Sequence, residues 1–125
     1  MSFARANLPD QVLRLMPLTP AVFYVLLSLS SGEKHGYAIM QETTTLSDRR
    51  FRMGPATLYS TIQRLVALDL IEETAGRSGE DPRRRYYGLT TTGKRLLKTE
   101  VAHMNSVVQM ANARLIPGAP RMSEK

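Results

Sequence analysis

The sequence predicts a mainly α-helical protein with one small β-hairpin and a long C-terminal helix. Three observations predict it. Apolar residues recur at helical spacing in stretches separated by Gly- and Pro-marked breaks. One stretch, residues 70–89, changes to a period of two on either side of a loop built from Gly, Ser, Asp and Pro. After it, apolar residues return at alternating spacings of four and three over about three heptads, a coiled-coil-like seam.

The chain has 125 residues, enough for one core and not two. Apolar residues make up 42% and charged residues 22%, so the chain can bury a core and disorder throughout is excluded. The net charge of +6 favours a polyanionic partner, nucleic acid first and an anionic membrane surface second. A merely basic soluble protein fits that charge about as well. There are no cysteines, which excludes disulfides and thiolate metal sites. The N-terminus lacks the apolar core of a signal peptide, and the most apolar stretch, residues 21–29, is too short to span a bilayer. A cytoplasmic protein is expected.

Residues 1–18 read as an arm. Leu8, Val12 and Leu15 fall at helical spacing after Pro9, which fits a short docking helix as well as a frayed terminus. The first long helix starts at Thr19, a favourable N-cap followed by Pro20, and ends at Gly32. Its run from residue 21 to 27 is apolar nearly all round, so more than one side is buried. A second helix is predicted over residues 36–46, with Tyr37, Ile39 and Met40 on its apolar face. Residues 47–54 break the pattern and carry three arginines. A third helix opens at Pro55. Leu58, Ile62, Leu65 and Asp69 occupy one stripe, Val66 widens it, and Ser60, Gln63, Arg64 and Ala67 lie on the far side.

The predicted hairpin has strands over residues 70–74 and 83–89, joined by a loop at 76–82. Tyr87 and Leu89 share one face, and Arg84 and Tyr86 the other. The last helix begins near Thr90 or Thr92. Leu97, Val101, Met104, Val108, Ala111 and Leu115 form the heptad seam, and Pro117, Gly118 and Pro120 end it. The expected organisation is an arm (1–18), a DNA-binding unit (19–90), a dimerisation helix (91–116) and a tail (117–125).

Helix, irregular turn, helix with a polar outer face, then a basic hairpin is a winged helix-turn-helix. In that arrangement the second helix brings side chains to base edges while the hairpin sets cations against phosphates. The charge is placed accordingly. Arg77, Arg83, Arg84, Arg85, Lys94, Arg95 and Lys98 face only Glu80 and Asp81 between residues 77 and 98, so most of the net charge sits at the wing. Gln63 suits adenine and Arg64 suits guanine, although a phosphate contact or an ion pair fits Arg64 equally. Ser60 and Thr57 are weaker candidates.

In order along the chain, several motifs then converge. They are His35-Gly36-Tyr37, Leu58-Tyr59 with Arg64-Leu65, Leu70-Ile71-Glu72, Arg84-Arg85-Tyr86-Tyr87, and Leu89-Thr90-Thr91-Thr92-Gly93. Together they make residues 19–98 resemble the PadR-like winged-helix transcriptional regulators, in their small branch with one C-terminal dimerisation helix. The resemblance implies a homodimer, a role as a repressor on double-stranded DNA with a roughly palindromic operator, and phosphate contacts from the Tyr37 and Tyr59 hydroxyls. Some such proteins bind flat hydrophobic compounds at the dimer interface, so Phe23, Tyr24, Met104 and Met110 are candidates to line an effector pocket; filling core is an equal alternative. Two departures stand out. Asp69 occupies a place usually held by Gly, and Asp tolerates the left-handed backbone such a turn needs. The arm is also longer than usual.

The rival readings are a winged helix that binds protein without sequence-specific DNA contact, and a small hydrolase or metal enzyme. Glu100 and His103 have the spacing of a metal-ligand pair, but no second pair exists. No Gly-rich phosphate loop or nucleophile elbow is present. No enzyme activity, cofactor, metal or membrane contact is expected, and His35 is assigned to the start of its helix.

Overall fold

The computed structural model of the chain describes residues 8–75, 83–116 and 118. The wing loop expected at 76–82, the first seven residues, and Pro117 and Pro120 with most of the tail lie outside them.

Side-chain caps set the helix starts. The Thr19 hydroxyl accepts from the Val22 N–H, and Pro20 takes the first position of α2 (Pro20–Ser28). A single 3₁₀ turn over Leu29–Ser31 continues it to Gly32, whose φ of 137° reverses the chain. The next helix, α3, spans Gly36–Leu46 and is capped by His35, whose Nδ1 accepts from the Ala38 N–H at 3.3 Å. The following helix, α4, runs over Pro55–Ala67. A short α1 (Asp10–Leu13) lies ahead of these in the arm, with Leu8 and Val12 buried in the main core.

The helix α4 ends two residues short of the predicted stripe. Asp69 lies beyond its last turn at φ 60°, so it terminates the helix instead of extending the apolar face. Val66 does not widen that face either, being 41% exposed; the buried flank is Thr61. The left-handed Asp69 is what the substitution for Gly required.

The hairpin strands are shorter than expected: β2 spans Ile71–Thr74 and β3 spans Tyr86–Leu89. Arg83, Arg84 and Arg85 precede the return strand and are not part of it. A further strand, β1 (Lys34–His35), pairs with β3 and gives the antiparallel order β1-β3-β2, with His35 opposite Tyr86 and Lys34 opposite Tyr87. This is why Tyr86 and Tyr87 are both buried, where strict alternation would cover only one. The His35 ring meets Tyr86 edge-on at 5.5 Å and takes the side expected to be open.

The last helix, α5 (Thr91–Leu115), is joined tightly to the sheet. The Thr90 hydroxyl accepts from Gly93 N–H and donates to the Asp69 carbonyl at 2.6 Å, while the Thr90 N–H reaches the Leu70 carbonyl at 3.1 Å. Gly93 is required there, because a Cβ would run into the Leu70 carbonyl oxygen. The core is shared by all the helices: Val25, Leu26, Ile39, Leu58, Leu65, Leu70, Ile71 and Leu96 are buried in it.

Candidate nucleic-acid interface

Two surfaces carry the sequence-predicted site residues. The first is a cleft of about 370 Å³ where the start of α3, the first turns of α4 and the base of the wing meet. His35, Gly36, Tyr37, Tyr59, Arg83, Arg84, Arg85 and Tyr87 line it. Five predicted contact residues from three separate segments are thus brought together. Tyr37 is more than half exposed and Tyr59 about half. Tyr59 leans over the start of α3, close enough that a Cβ on Gly36 would lie 2.6 Å from its hydroxyl oxygen.

The cleft is electropositive and rich in donors. Arg84 Nη1 lies 2.7 Å from His35 Nε2, while His35 Nδ1 faces the Ala38 N–H at 3.3 Å. A neutral imidazole has one acceptor nitrogen, so the Arg84 guanidinium and the Ala38 N–H compete for the His35 ring. Arg85 hydrogen-bonds the Tyr87 hydroxyl. Burial, and next the Glu73 carboxylate, raise the Tyr87 pKa above its ordinary value, with Arg85 acting in the opposite direction. Tyr87 therefore remains a neutral donor at physiological pH. Phenolic hydroxyls and guanidinium groups around one concave surface have the chemistry to hold a phosphate oxygen.

The outward face of α4 is the second part of the interface. Thr57, Ser60, Gln63 and Arg64 are all exposed on it, while Leu58, Thr61, Ile62 and Leu65 hold its other side in the core. Ser60 directs its hydroxyl to the Thr57 carbonyl at 3.1 Å. Gln63 and Arg64 project freely from the helix that a winged helix-turn-helix lays in the major groove.

Away from these surfaces, α5 presents its seam. Val101, Met104 and Val108 are 44%, 42% and 53% exposed, and with Phe23 they line an apolar groove of about 590 Å³. Leu97 borders this groove but belongs to the chain's own core. Ala111 is half-buried and Leu115 exposed. Of the four residues expected to line an effector pocket, Phe23 and Met104 are at the groove. Tyr24 is not: it stacks on Phe51 at 5.8 Å, and Met110 is exposed further along the helix. Glu100 is buried, with its Oε2 accepting from the Leu18 N–H at 2.9 Å, which ties the arm to α5. Among the described residues no cluster of three His, Cys, Asp or Glu could hold a metal. No helix there is long and apolar enough to cross a membrane.

A family model described as the transcriptional regulator PadR-like family matches residues 25–99. The chain belongs to the PadR-like family. Its match spans the cleft, α4, the wing and the first third of α5. A curated relative, uncharacterized protein X of Lysinibacillus sphaericus, is 30% identical over 86 residues, 69% of this chain and 79% of that one. Among solved structures, a PadR-like transcription factor from Bacteroides fragilis is 26% identical, with a TM-score of 0.62 over 82% of this chain and 97% of that one. BpsR of Bordetella bronchiseptica, whose DNA binding is regulated by 6-hydroxynicotinic acid, has a TM-score of 0.59 at 24% identity, covering 90% of this chain and 75% of its own. This PadR-like chain is therefore a winged-helix, DNA-binding transcriptional regulator, and the family and its structural neighbours are regulators, not enzymes.

What the sequence did not reveal is the partnership of His35 with Arg84. The two are 49 residues apart, and no local pattern links them. Gly36, whose missing side chain makes room for Tyr59, signals only the close approach of α4 to the start of α3.

Proposed function

We propose that this PadR-like protein is a cytoplasmic repressor that binds a roughly palindromic operator as a homodimer. The reading is carried by the convergence of Tyr37, Tyr59 and the wing arginines on one cleft beside the open face of α4. In it the cleft takes backbone phosphates and Gln63 and Arg64 read base edges in the major groove. The apolar seam of α5 supports the dimer. Val101, Met104, Val108 and Leu115 leave a row of apolar side chains in water, and a second copy of the same helix covers them. Two-fold symmetry then presents two α4 helices to half-sites about 34–36 Å apart, or a multiple of that.

A hydrophobic effector that releases the DNA completes the proposal. The groove between Phe23 and the seam is lined almost wholly by apolar groups, and BpsR supplies a relative in fold whose DNA binding responds to a small aromatic acid. The test combines selection of bound DNA from a random pool with analytical ultracentrifugation. An enriched palindrome and a dimer mass are expected. Val101→Asp sets a carboxylate in the apolar contact, at a cost of several kcal/mol, and yields monomer. A wild-type protein that sediments as a stable monomer, or retains no preferred sequence, refutes the reading.

A further inference from the structure

We infer that the turn between α3 and α4 is a second phosphate-binding surface, in which Arg49, Arg50 and Arg52 grip the DNA backbone on the rim of the major groove opposite the wing. The inference rests on the DNA-binding reading and adds to it a surface outside the cleft.

The turn is built to hold these side chains outward. Asp48 and Arg49 both adopt left-handed backbone, with φ of 54° and 64°. Asp accepts that region more readily than most residues, but a residue such as Arg49 does so rarely and only where the surroundings enforce it. They enforce it here. The Arg49 N–H bonds the Thr44 carbonyl at 2.8 Å, closing the end of α3. The buried Ser47 hydroxyl accepts from the Phe51 N–H at 3.0 Å and lies within hydrogen-bonding distance of the Thr44 and Phe51 carbonyls, both at 3.1 Å. Phe51 stacks on Tyr24, and Met53 is buried. Chain direction then alternates: Phe51 and Met53 point into the core, and Arg50 and Arg52 point out.

Three exposed guanidinium groups result, against the single carboxylate of Asp48. Among the described residues none of the three has a hydrogen-bond or ion-pair partner for its side chain. A basic run that served only solubility would need neither the strain nor the buried anchors.

Position supplies the ligand. The wing cleft lies at the N-terminus of α3 and the arginine turn at its C-terminus. Eleven residues separate them, about 16 Å along the helix axis. The major groove is about 12 Å wide between its sugar–phosphate rims. In a helix-turn-helix the first helix crosses the backbone while the second enters the groove by its N-terminal residues. Here Arg52 stands three residues before the first residue of α4, at the mouth of the groove that α4 enters. Cations at both ends of α3 therefore match phosphates on both rims.

The test is a salt titration of binding to operator and to scrambled duplex between about 50 and 200 mM monovalent salt, the range over which phosphate contacts register most strongly. Wild type, Arg84→Ala, Arg50→Gln/Arg52→Gln and Arg50→Lys/Arg52→Lys are compared, with melting temperatures as a control for folding. Each phosphate contact removed flattens the slope of log affinity against log salt by about 0.9. The double glutamine variant should flatten it by about 1.8 on both duplexes, which makes the affinity loss over that salt range about twelvefold smaller. The lysine variant should keep the wild-type slope. If Arg84→Ala flattens the slope and the glutamine variant does not, the wing stands and the second surface is overturned. If wild type shows no retention on either duplex, the DNA-binding reading falls and takes this surface with it.

Discussion

Gly36 offers the sharpest test of the cleft, because one methyl group separates its fold from its function. A Cβ at this position would lie 2.6 Å from the Tyr59 hydroxyl oxygen and 3.1 Å from the ring carbon that bears it. That atom is the free end of a half-exposed side chain, so the ring swings away without disturbing the core. Gly36 is the first residue of α3, where the helix-interior preference for alanine over glycine does not apply, so the backbone neither gains nor loses much. Gly36→Ala should therefore melt close to wild type. If Tyr59 holds a backbone phosphate as proposed, binding should fall, because the displaced hydroxyl no longer reaches it. A hydrogen bond to a charged acceptor is worth about 1.5–3 kcal/mol, which is about ten- to a hundredfold in Kd. Tyr59→Phe should lose a similar amount, and the double variant little more than either single one, because both remove the same contact. Fluorescence anisotropy on the selected operator measures all four proteins. Wild-type affinity for Gly36→Ala, or full additivity in the double variant, would refute the role given to Tyr59.

Gly93→Ala should act in the opposite way, on stability rather than on the DNA surface. Its methyl meets a backbone carbonyl that cannot swing aside and disrupts the Thr90–Leu70 hydrogen bond, so a loss of about 2–4 kcal/mol and a fall of roughly 10 °C in Tm are expected in a thermal melt. Arg84→Ala should weaken operator and random DNA together, whereas Gln63→Ala or Arg64→Ala should change the preferred base at one position at a cost of roughly 1–3 kcal/mol; uniform weakening by both α4 variants would move base reading elsewhere. Glu100→Ala strands the Leu18 N–H and should cost about 1–3 kcal/mol, with the arm becoming the first site of limited proteolysis. Glu100→Gln retains an acceptor for Leu18 and should protect the arm, and equal cleavage of the two variants would show that the bond does not hold it.

Legibility followed the range of the forces involved. The caps at Thr19, His35 and Thr90 were readable because a side chain bonding the backbone three residues on is a local event. The left-handed turn at Asp69 was readable for the same reason, although the helix stopped earlier than the apolar stripe suggested. Contacts between distant segments were not readable. The strand at Lys34–His35 is two residues long and exists only because Tyr86 and Tyr87 lie beside it. That pairing also removed the expected open face of the hairpin. The link from Glu100 to Leu18 spans 82 positions, and a carboxylate on a helix ordinarily signals solvent. Within the site, the tyrosines and arginines were named from motifs. Their meeting in one cleft, and the imidazole among them, came from the sheet.

The joint between the sheet and α5 bears on how a ligand at the seam would release DNA. Thr90 bonds the carbonyls of both Asp69 and Leu70, the residues that follow α4, and it caps α5 in the same step. Gly93 lies against Leu70 with no space for even a methyl group. The first turn of α5, the end of α4 and the base of the wing thus form one unit that cannot be sheared without breaking several hydrogen bonds. A compound in the groove of Phe23, Val101, Met104 and Val108 cannot readily reshape the cleft, which lies across this joint. In the proposed dimer it would instead change the angle at which two α5 helices cross. A small rotation there, carried rigidly to each α4, alters the distance between the two recognition helices while leaving each one intact. On the proposed reading, an effector therefore lowers affinity for the paired half-sites far more than for an isolated half-site. An operator series with altered half-site spacing should shift its optimum when ligand is bound, and equal weakening of single and paired half-sites would place the switch inside the DNA-binding unit instead.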